Sequence, residues 1–230
     1  MHKIAIPEYA RQLVADRGGG TRILKAIVPA RSALLVIDMQ NAFVMPGAPL
    51  EVPYAREIVP TINRLATAFR RTGARIVWIQ TSFRDQADSW SAYFSQRLRP
   101  DLSARVISAL TPGALGYDLF SGLAAQPDDI QVVKTRFSAF IQGASDLDAM
   151  LRKLGIDTLF ITGTVSNTCC EATARDAMML NYKVVFLSDA NATRTDEEHN
   201  ATLANMLQAF ADVASADEVA EAIRAAEPIR

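Results

Sequence analysis

The sequence predicts an α/β domain built on a mostly parallel sheet of about six strands. Three observations support this fold class. Short apolar runs rich in Val and Ile recur along the chain, amphipathic stretches alternate with them, and glycines follow two of these stretches. Strands that alternate with helices form a parallel sheet whose two faces are both covered.

The strands are predicted from five short apolar runs and a weaker sixth. Each run is too short for an ordinary helix and has the composition of a strand buried on both faces. The runs are Ala33–Ile37, Ile76–Ile79, Ile130–Val133, Thr158–Ile161, Val184–Leu187 and, more weakly, Phe210–Val213.

The amphipathic stretches between these runs are predicted to be helices. Gly73 and Gly155 follow the first two stretches, where a helix often ends in a left-handed residue. The predicted helices span residues 56–72, 145–154, 168–181, 196–209 and 215–226.

Two segments are less regular. Residues 1–30, interrupted by Gly18–Gly20, are predicted to form an N-terminal arm that packs on the domain or on a neighbouring subunit. Residues 31–230 are predicted to form a single domain. Within it, residues 82–129 are rich in aromatic residues and proline, and we expect a long, partly helical connection that lies over the active site.

Composition argues against several classes of partner. The 230-residue chain has 24 basic and 25 acidic residues, a net charge of −1 and no long basic run. Nothing electrostatic therefore favours a nucleic acid or an anionic membrane. No apolar run approaches the ~20 residues that span a bilayer, and the N-terminus lacks a signal-peptide pattern, so we expect a cytoplasmic protein.

The few histidines and cysteines restrict the chemistry. His2 and His199 are the only histidines, so a multi-histidine metal site is not expected, and neither is a cofactor. Cys169 and Cys170 are adjacent, which favours two reduced thiols over a disulfide. Since His199 is expected to be structural, hydrolytic chemistry would need a different base.

Three chemically active side chains follow predicted strands. Asp38 follows ALLVI, Lys134 follows IQVV, and Cys169 lies in the loop after TLFIT. Because ligands bind at the carboxyl edge of open parallel sheets, we expect these three groups to meet there. Taken singly, Asp38 also suits a turn cap, Lys134 a solvated strand end and Cys169 a small buried residue.

The segment GTVSNTCCEATARDA, residues 163–177, runs from a strand into a predicted helix. Ser166, Asn167 and Thr168 are each suited to cap that helix. Cys169 would then lie in its first turn, where the helix dipole, free amides and a nearby lysine favour a thiolate. A thiolate is the nucleophile that hydrolysis of an unactivated amide needs.

Three segments together resemble the signature blocks of the isochorismatase-like hydrolases. They are VIDMQNAF at 36–43, KTRFSAF at 134–140 and the segment at 163–177. The resemblance covers residues 31–215 and is strongest to the ureidoacrylate, ureide and carbamoyl amidohydrolases. It implies a three-layer α/β/α Rossmann-like fold and a homodimer or homotetramer.

The resemblance also implies a role for each matching residue. Asp38 corresponds to the general base, Lys134 to the charge-stabilising lysine, and Cys169 to a nucleophile that forms a thioester. A cis peptide of the family falls between Thr164 and Val165, and the amides of Val165 and Cys169 would form an oxyanion hole. These roles imply a cysteine-dependent amidohydrolase that cleaves a linear carbon–nitrogen bond of a small amide, ureide or carbamoyl substrate.

Two departures from relatives narrow this expectation. True isochorismatases resemble this sequence but carry Gly at the position of Cys169 and cleave a vinyl ether without a covalent step. Nicotinamidases add a metal site with several histidines after the second strand, whereas SFRDQADSW at 82–90 has none. The alternatives are a vinyl-ether hydrolase, a catalytically silent protein on this fold, or a thiol-redox protein that uses Cys169 and Cys170.

Candidates for substrate binding are chosen from the neighbours of these three residues. For the aromatic candidates core packing is an equally good interpretation, and Arg84 and Arg136 suit either a substrate carboxylate or a structural role. Trp78 and Trp90 are additional candidates for the cavity mouth. The substrate-binding candidates are Gln40, Asn41, Phe43, Arg84, Phe137, Phe140, Asn167 and Thr168.

Overall fold

A computed structural model describes residues 1–18 and 23–226. Within these ranges six strands form one sheet in the order β3-β2-β1-β4-β5-β6, and every neighbouring pair is parallel. This confirms the predicted α/β class and the six-stranded sheet. The strands are β1 Ser32–Ile37, β2 Arg75–Thr81, β3 Ile130–Lys134, β4 Thr158–Thr164, β5 Lys183–Ala192 and β6 Asp212–Ala214.

Helices cover both faces of the sheet. All six residues of β1 are buried; Leu34 and Val36 pack in one apolar layer, while Leu35 and Ile37 pack in the other. The first layer includes α3 and α9, and the second includes α6, α7 and α8. The helices are α1 Glu8–Asp16, α2 Asn41–Val44, α3 Ala55–Arg71, α4 Ser91–Phe94, α5 Pro100–Ala109, α6 Leu147–Lys153, α7 Glu171–Met179, α8 Asp196–Asn205 and α9 Ala216–Ala225.

Two predicted helices are divided in the structure. The helix predicted at 168–181 starts as a π-helical turn, Ser166–Cys170, before α7. The helix predicted at 196–209 ends in another π-helical turn, Met206–Phe210. The first π-helical turn holds Cys169, so the nucleophile candidate lies before the regular helix rather than within it.

The chain order reverses at β1, which lies between β2 and β4. Such a reversal opens the crevice in which α/β sheets bind ligands. At its edge Ile37 pairs with Gly163, whose φ is 115°, and a Cβ on Gly163 would lie 2.1 Å from the Ile37 carbonyl oxygen. Only glycine permits this approach, which brings the carboxyl ends of β1 and β4 together.

The connection between β2 and β3 contains α4 and α5, as predicted for residues 82–129. Its aromatic side chains pack on one another and on the loop after β3. Phe83 contacts Phe94 with ring centroids 5.2 Å apart, and Trp90 contacts Phe137 at 4.7 Å. The connection therefore covers the carboxyl edge of the sheet.

The described part of the N-terminal segment lies against the domain. His2 is buried, with Nδ1 2.8 Å from Asp196 Oδ1 and its ring stacked 4.4 Å from that of His199. Gly19 and Gly20 of the predicted interruption lie outside the described residues. Among the helices that the structure describes, none has the length and apolar composition to cross a membrane.

Candidate active site

Asp38 directly follows β1 and has a left-handed backbone, with φ of 52°. Its backbone is held on both sides. The Asp38 N–H donates to the carbonyl of Ile79 at 2.8 Å, and its carbonyl accepts from the Thr164 hydroxyl at 2.9 Å. The carboxylate accepts hydrogen bonds from Lys134 at 2.9 Å and from the Thr81 hydroxyl at 2.8 Å.

Lys134 ends β3 and is fully buried. Its ammonium donates to Asp38, to the Thr81 hydroxyl at 2.6 Å and to the Arg136 carbonyl at 3.1 Å. Burial alone lowers the pKa of Lys134, but the Asp38 charge outweighs it, and the pKa is raised. The side chain is therefore an ammonium group, held by three acceptors, deep in the protein.

Cys169 joins this pair from the π-helical turn after β4. The turn is fixed at the Val165 carbonyl, which accepts from Thr168 at 3.0 Å and from Cys170 at 3.2 Å. The Cys169 thiol is buried and interacts with the carboxylate of Asp38, the ammonium of Lys134 and the backbone amide of Val165. The structure thus brings the three predicted residues together. The Thr164–Val165 peptide is cis.

The thiol of Cys169 is neutral in the resting site. Burial raises its pKa, the negative charge of Asp38 raises it further, and Lys134 and the Val165 amide lower it by less. The net pKa is well above that of an ordinary cysteine. The prediction of a thiolate favoured by a helix start is therefore wrong, because the sulfur lies in a closed turn against a carboxylate.

The predicted helix caps are also wrong. Val165 occupies the position before the turn, and no side chain caps it. The Ser166 hydroxyl instead lies 2.9 Å from His199 Nδ1, and Asn167 accepts from the Thr193 hydroxyl at 2.8 Å. These side chains tie the cysteine turn to the segment after β5.

His199 supports this turn from inside the protein. Its Nε2 lies 2.8 Å from the Ser188 carbonyl, so both ring nitrogens have partners. Burial lowers the pKa of His199 to about 4, which keeps the ring neutral near pH 7. His199 is thus a structural residue, as expected.

A cavity of about 350 Å³ opens onto Cys169. Three predicted substrate-binding residues, Phe43, Phe137 and Thr168, line it, together with Val165. Its remaining lining residues are Pro49, Leu50, Thr81, Phe83, Tyr93, Arg97, Leu98, Leu102 and Arg194.

Gln40 and Asn41 are not among the residues that line this cavity, although both were predicted to bind substrate. The Gln40 amide donates to the carbonyls of Thr81 at 3.0 Å and Tyr117 at 2.8 Å, and the Asn41 amide donates to the Leu115 carbonyl at 2.9 Å. Buried loop carbonyls need donors, and these two amides supply them.

Three further predicted substrate-binding residues also do not line this cavity. Phe140 packs in the apolar layer of α6, α7 and α8, with its ring 5.5 Å from Tyr182. Asn167 is exposed and bonded to Thr193, and Arg84 donates to the Pro112 carbonyl at 2.9 Å.

The other candidates for the mouth have structural roles. The Trp78 indole is buried and donates to Asp129 at 2.8 Å. Trp90 belongs to the aromatic cluster, and the Arg136 guanidinium lies 5.1 Å from its ring centroid. Arg136 also donates to the Thr135 carbonyl at 2.8 Å.

Three lining residues were not predicted from the sequence: Tyr93, Arg97 and Arg194. Arg194 lies just beyond β5, at the same carboxyl edge as the other strand-end residues, so its position was an available signal. Tyr93 and Arg97 come from the 82–129 connection, whose path over the site no local pattern specifies.

Residues 32–218 match the Isochorismatase domain family. A cysteine hydrolase from Pseudomonas syringae pv. phaseolicola 1448A is 30% identical, with a TM-score of 0.79, and the match covers 87% of this chain and 96% of that chain. The domain match spans the sheet from β1 into α9.

Two solved structures whose names describe amidases are also similar to this chain. An N-carbamoylsarcosine amidase from Thermoplasma acidophilum is 26% identical, with a TM-score of 0.64, over 81% of this chain and 97% of that chain. A pyrazinamidase of Pyrococcus horikoshii, solved in complex with zinc, is 25% identical, with a TM-score of 0.68, over 80% of this chain and 99% of that chain.

Proposed function

The chain belongs to the isochorismatase family of hydrolases, and from this premise we propose that it cleaves a carbon–nitrogen bond of a small amide, ureide or carbamoyl compound. The main observation behind this proposal is that the Cys169 thiol interacts with the buried Asp38–Lys134 pair and also lines a small cavity. A nucleophile, a base and a fixed cation in contact are the parts that covalent acyl transfer needs.

The first half of the proposed reaction forms a thioester. Asp38 accepts the proton of the Cys169 thiol as the sulfur attacks the carbonyl carbon, and the carbonyl electron pair moves to oxygen. When the carbonyl re-forms, the carbon–nitrogen bond breaks. Asp38 returns the proton to the leaving nitrogen, and ammonia or an amine departs.

The second half consumes water. Asp38 accepts a proton from a water molecule whose oxygen attacks the thioester carbon. The carbon–sulfur bond breaks, the carboxylic acid leaves, and the proton returns to the sulfur. The site is then restored to its resting state. A positioned acid–base group contributes about 10²–10⁴ in rate.

Lys134 and Thr81 hold Asp38 in place for both halves. Lys134 donates to one carboxylate oxygen, and the Thr81 hydroxyl donates to the other. Because Lys134 also donates to Thr81, the three groups form a closed set of hydrogen bonds. Such support fixes the base relative to the sulfur without contacting the substrate carbon.

The oxyanion would be stabilised by the backbone amides of Val165 and Cys169. The Val165 amide already interacts with the Cys169 sulfur in the resting site. Removal of one such donor commonly lowers the rate by about 10²–10³. The names of two neighbours, a cysteine hydrolase and an N-carbamoylsarcosine amidase, also support cysteine-dependent cleavage of a carbon–nitrogen bond.

An ammonia-release screen over small amides, ureides and carbamoyl compounds tests the proposal. The wild type is compared with Cys169→Ser and, as a matched control, with Cys170→Ser, whose side chain is buried in an apolar layer and does not line the cavity. We expect release by the wild type and the control, loss in Cys169→Ser, and an acyl adduct on Cys169 after acid quenching. Equal activity of the wild type and Cys169→Ser would refute the covalent step.

A further inference from the structure

Two arginines stand out among the residues that line the cavity. Arg97 precedes α5 and Arg194 follows β5, so separate parts of the fold bring them to one space. Both are exposed at the cavity mouth, and every other lining residue is uncharged. The mouth therefore carries two positive charges and no negative one.

These arginines also differ from their neighbours in their partners. Arg99, two positions from Arg97, pairs with Asp101 at 3.4 Å, and Arg136 donates to Gln86 at 2.9 Å. In the described ranges no carboxylate lies within ion-pair distance of the guanidinium of Arg97 or Arg194. Both guanidinium groups are thus available to an external anion.

Tyr93 connects Arg194 to the reacting sulfur. Burial raises the pKa of Tyr93, an ionised Cys169 would raise it further, and the charge of Arg194 lowers it. One phenol therefore lies within electrostatic range of both Cys169 and Arg194. Tyr93, Cys169 and Arg194 line the same cavity of about 350 Å³, so one compact molecule can reach both the sulfur and Arg194.

Most of the other side chains that line the cavity are apolar. They include Phe43, Leu50, Phe83, Leu102 and Phe137. The volume of about 350 Å³ is near the lower end for ligand pockets, which limits the ligand to a compact molecule. A small molecule with a reactive carbonyl, a short apolar part and a terminal anion would match the cysteine, the apolar side chains and the arginines of this cavity.

We infer that Arg97 and Arg194 bind a carboxylate of the substrate, so that the enzyme selects amide or carbamoyl compounds that also bear an acid group. This inference rests on the proposed function for the position of the scissile bond. Guanidinium groups bind carboxylates through paired charge-assisted hydrogen bonds. Arg97 and Arg194 are specificity residues here and take no part in bond cleavage.

Alkylation of Cys169 tests the anion site without a known substrate. Iodoacetate and iodoacetamide alkylate sulfur by the same displacement of iodide and transfer two-carbon groups of similar size, of which only the one from iodoacetate carries a negative charge. Peptide mass mapping quantifies the label on Cys169. We expect the ratio of the iodoacetate rate to the iodoacetamide rate to fall about tenfold in the Arg97→Gln/Arg194→Gln double variant. The control Arg99→Gln, which pairs outside the cavity, should keep the wild-type ratio.

An unchanged ratio in the double variant would overturn the inference. Protection assays then separate carboxylate from phosphate as the bound group. We expect succinate to slow labelling of Cys169 in the wild type but not in the double variant. Equal protection by inorganic phosphate would contradict the assignment to a carboxylate.

Turnover distinguishes failure of this inference from failure of the proposed function. Glutaric acid monoamide and its methyl ester form a matched pair that differs in one charge. We expect the double variant to lower kcat/KM for the acid by at least about tenfold and to leave the ester unchanged. If both are hydrolysed equally in a Cys169-dependent reaction, the proposed function stands and the anion site falls. If neither is hydrolysed while the alkylation ratio still depends on the arginines, the anion site stands and the reaction is in doubt.

Discussion

The ammonium nitrogen of Lys134 lies 2.9 Å from a carboxylate oxygen of Asp38, and neither side chain has any exposure to solvent. The two residues are 96 positions apart in the chain and meet because β1 and β3 end at the same edge of the sheet. A buried ion pair is sensitive to loss of one partner, since the remaining charge is left in the protein interior.

Lys134→Met should lower the free energy of unfolding by about 3–5 kcal/mol, because Asp38 would remain buried without its cation. Chemical denaturation measures this change. The double variant Asp38→Leu/Lys134→Met removes both charges and should recover a large part of the loss. Additive losses in the double variant would show that the two side chains are not coupled in the folded protein.

Asp38→Asn should make Cys169 easier to alkylate while it lowers turnover. The Asp38 charge raises the pKa of the Cys169 thiol and Lys134 lowers it, so removal of the carboxylate shifts that pKa downward. The rate of iodoacetamide labelling, measured against pH, should rise at a lower pH than in the wild type. Turnover should fall by about 10²–10⁴ with the base removed. Slower labelling of the variant would contradict this electrostatic account.

Thr81→Val should lower kcat by about tenfold and leave the protein folded. The hydroxyl donates to Asp38 and accepts from Lys134, and its removal leaves each with one hydrogen bond fewer at a cost of about 1–3 kcal/mol. Thr81→Ser retains the hydroxyl and should keep most of the activity. Wild-type kcat in Thr81→Val would exclude a positioning role.

Stability should fall with acidification through His199. Its pKa is lowered to about 4 in the folded protein, against about 6.5 for an unperturbed histidine, so between these values the unfolded chain binds the extra proton. The contribution is therefore complete above pH 6.5 and is lost as the pH falls toward 4. The change is at most about 1.4 kcal/mol per pH unit. His2 stacks on His199 and Asp196 adds a charge nearby, so both contribute to its surroundings.

Unfolding free energies of the wild type and His199→Gln, measured from pH 4 to 7, isolate this term. The variant should have a flatter pH dependence, even where its overall stability is lower. An identical slope of unfolding free energy against pH in both proteins would mean that His199 does not control the pH dependence of stability.

Gly163→Ala should destabilise the protein by more than about 4 kcal/mol, which is exceptional for one methyl group. The added Cβ would lie 2.1 Å from the Ile37 carbonyl oxygen and force β1 away from β4. Gly143→Ala is the matched control, because Gly143 also has a positive φ, 77°, but open space at its Cβ. The control should lose only about 1–2 kcal/mol from backbone strain. Thermal or chemical denaturation of the two variants compares them directly.

Most of the site residues that could be predicted from the sequence lie just after strands. Asp38, Lys134 and Cys169 each follow a strong apolar run, and parallel strands deliver such residues to one edge. Nearness in sequence to the predicted catalytic residues was a poorer guide to which residues line the cavity. Gln40 and Asn41 follow Asp38 closely, yet they bond to carbonyls of a loop more than 70 residues away. Those carbonyls require hydrogen-bond donors only once the loop has folded and buried them.

The ionisation state of the sulfur was equally hidden in the sequence. A cysteine before a helix with a lysine nearby suggested a thiolate, and both features are present around Cys169. Burial and the facing Asp38 carboxylate raise the pKa of the thiol, and these two effects outweigh the features that lower it. Their strength depends on how deep the turn lies, which no local pattern encodes.

The burial of Asp38, Lys134 and Cys169 has a consequence for how the proposed reaction starts. At rest the carboxylate and ammonium cancel, and the thiol is uncharged. When the proton passes from sulfur to oxygen in the proposed chemistry, the thiolate and ammonium cancel in turn. The net charge of the three groups is zero at both moments, so a buried site can activate its nucleophile without gaining or losing an ion. The step only relocates a negative charge beside a stationary positive one, and bulk salt should have little influence on it.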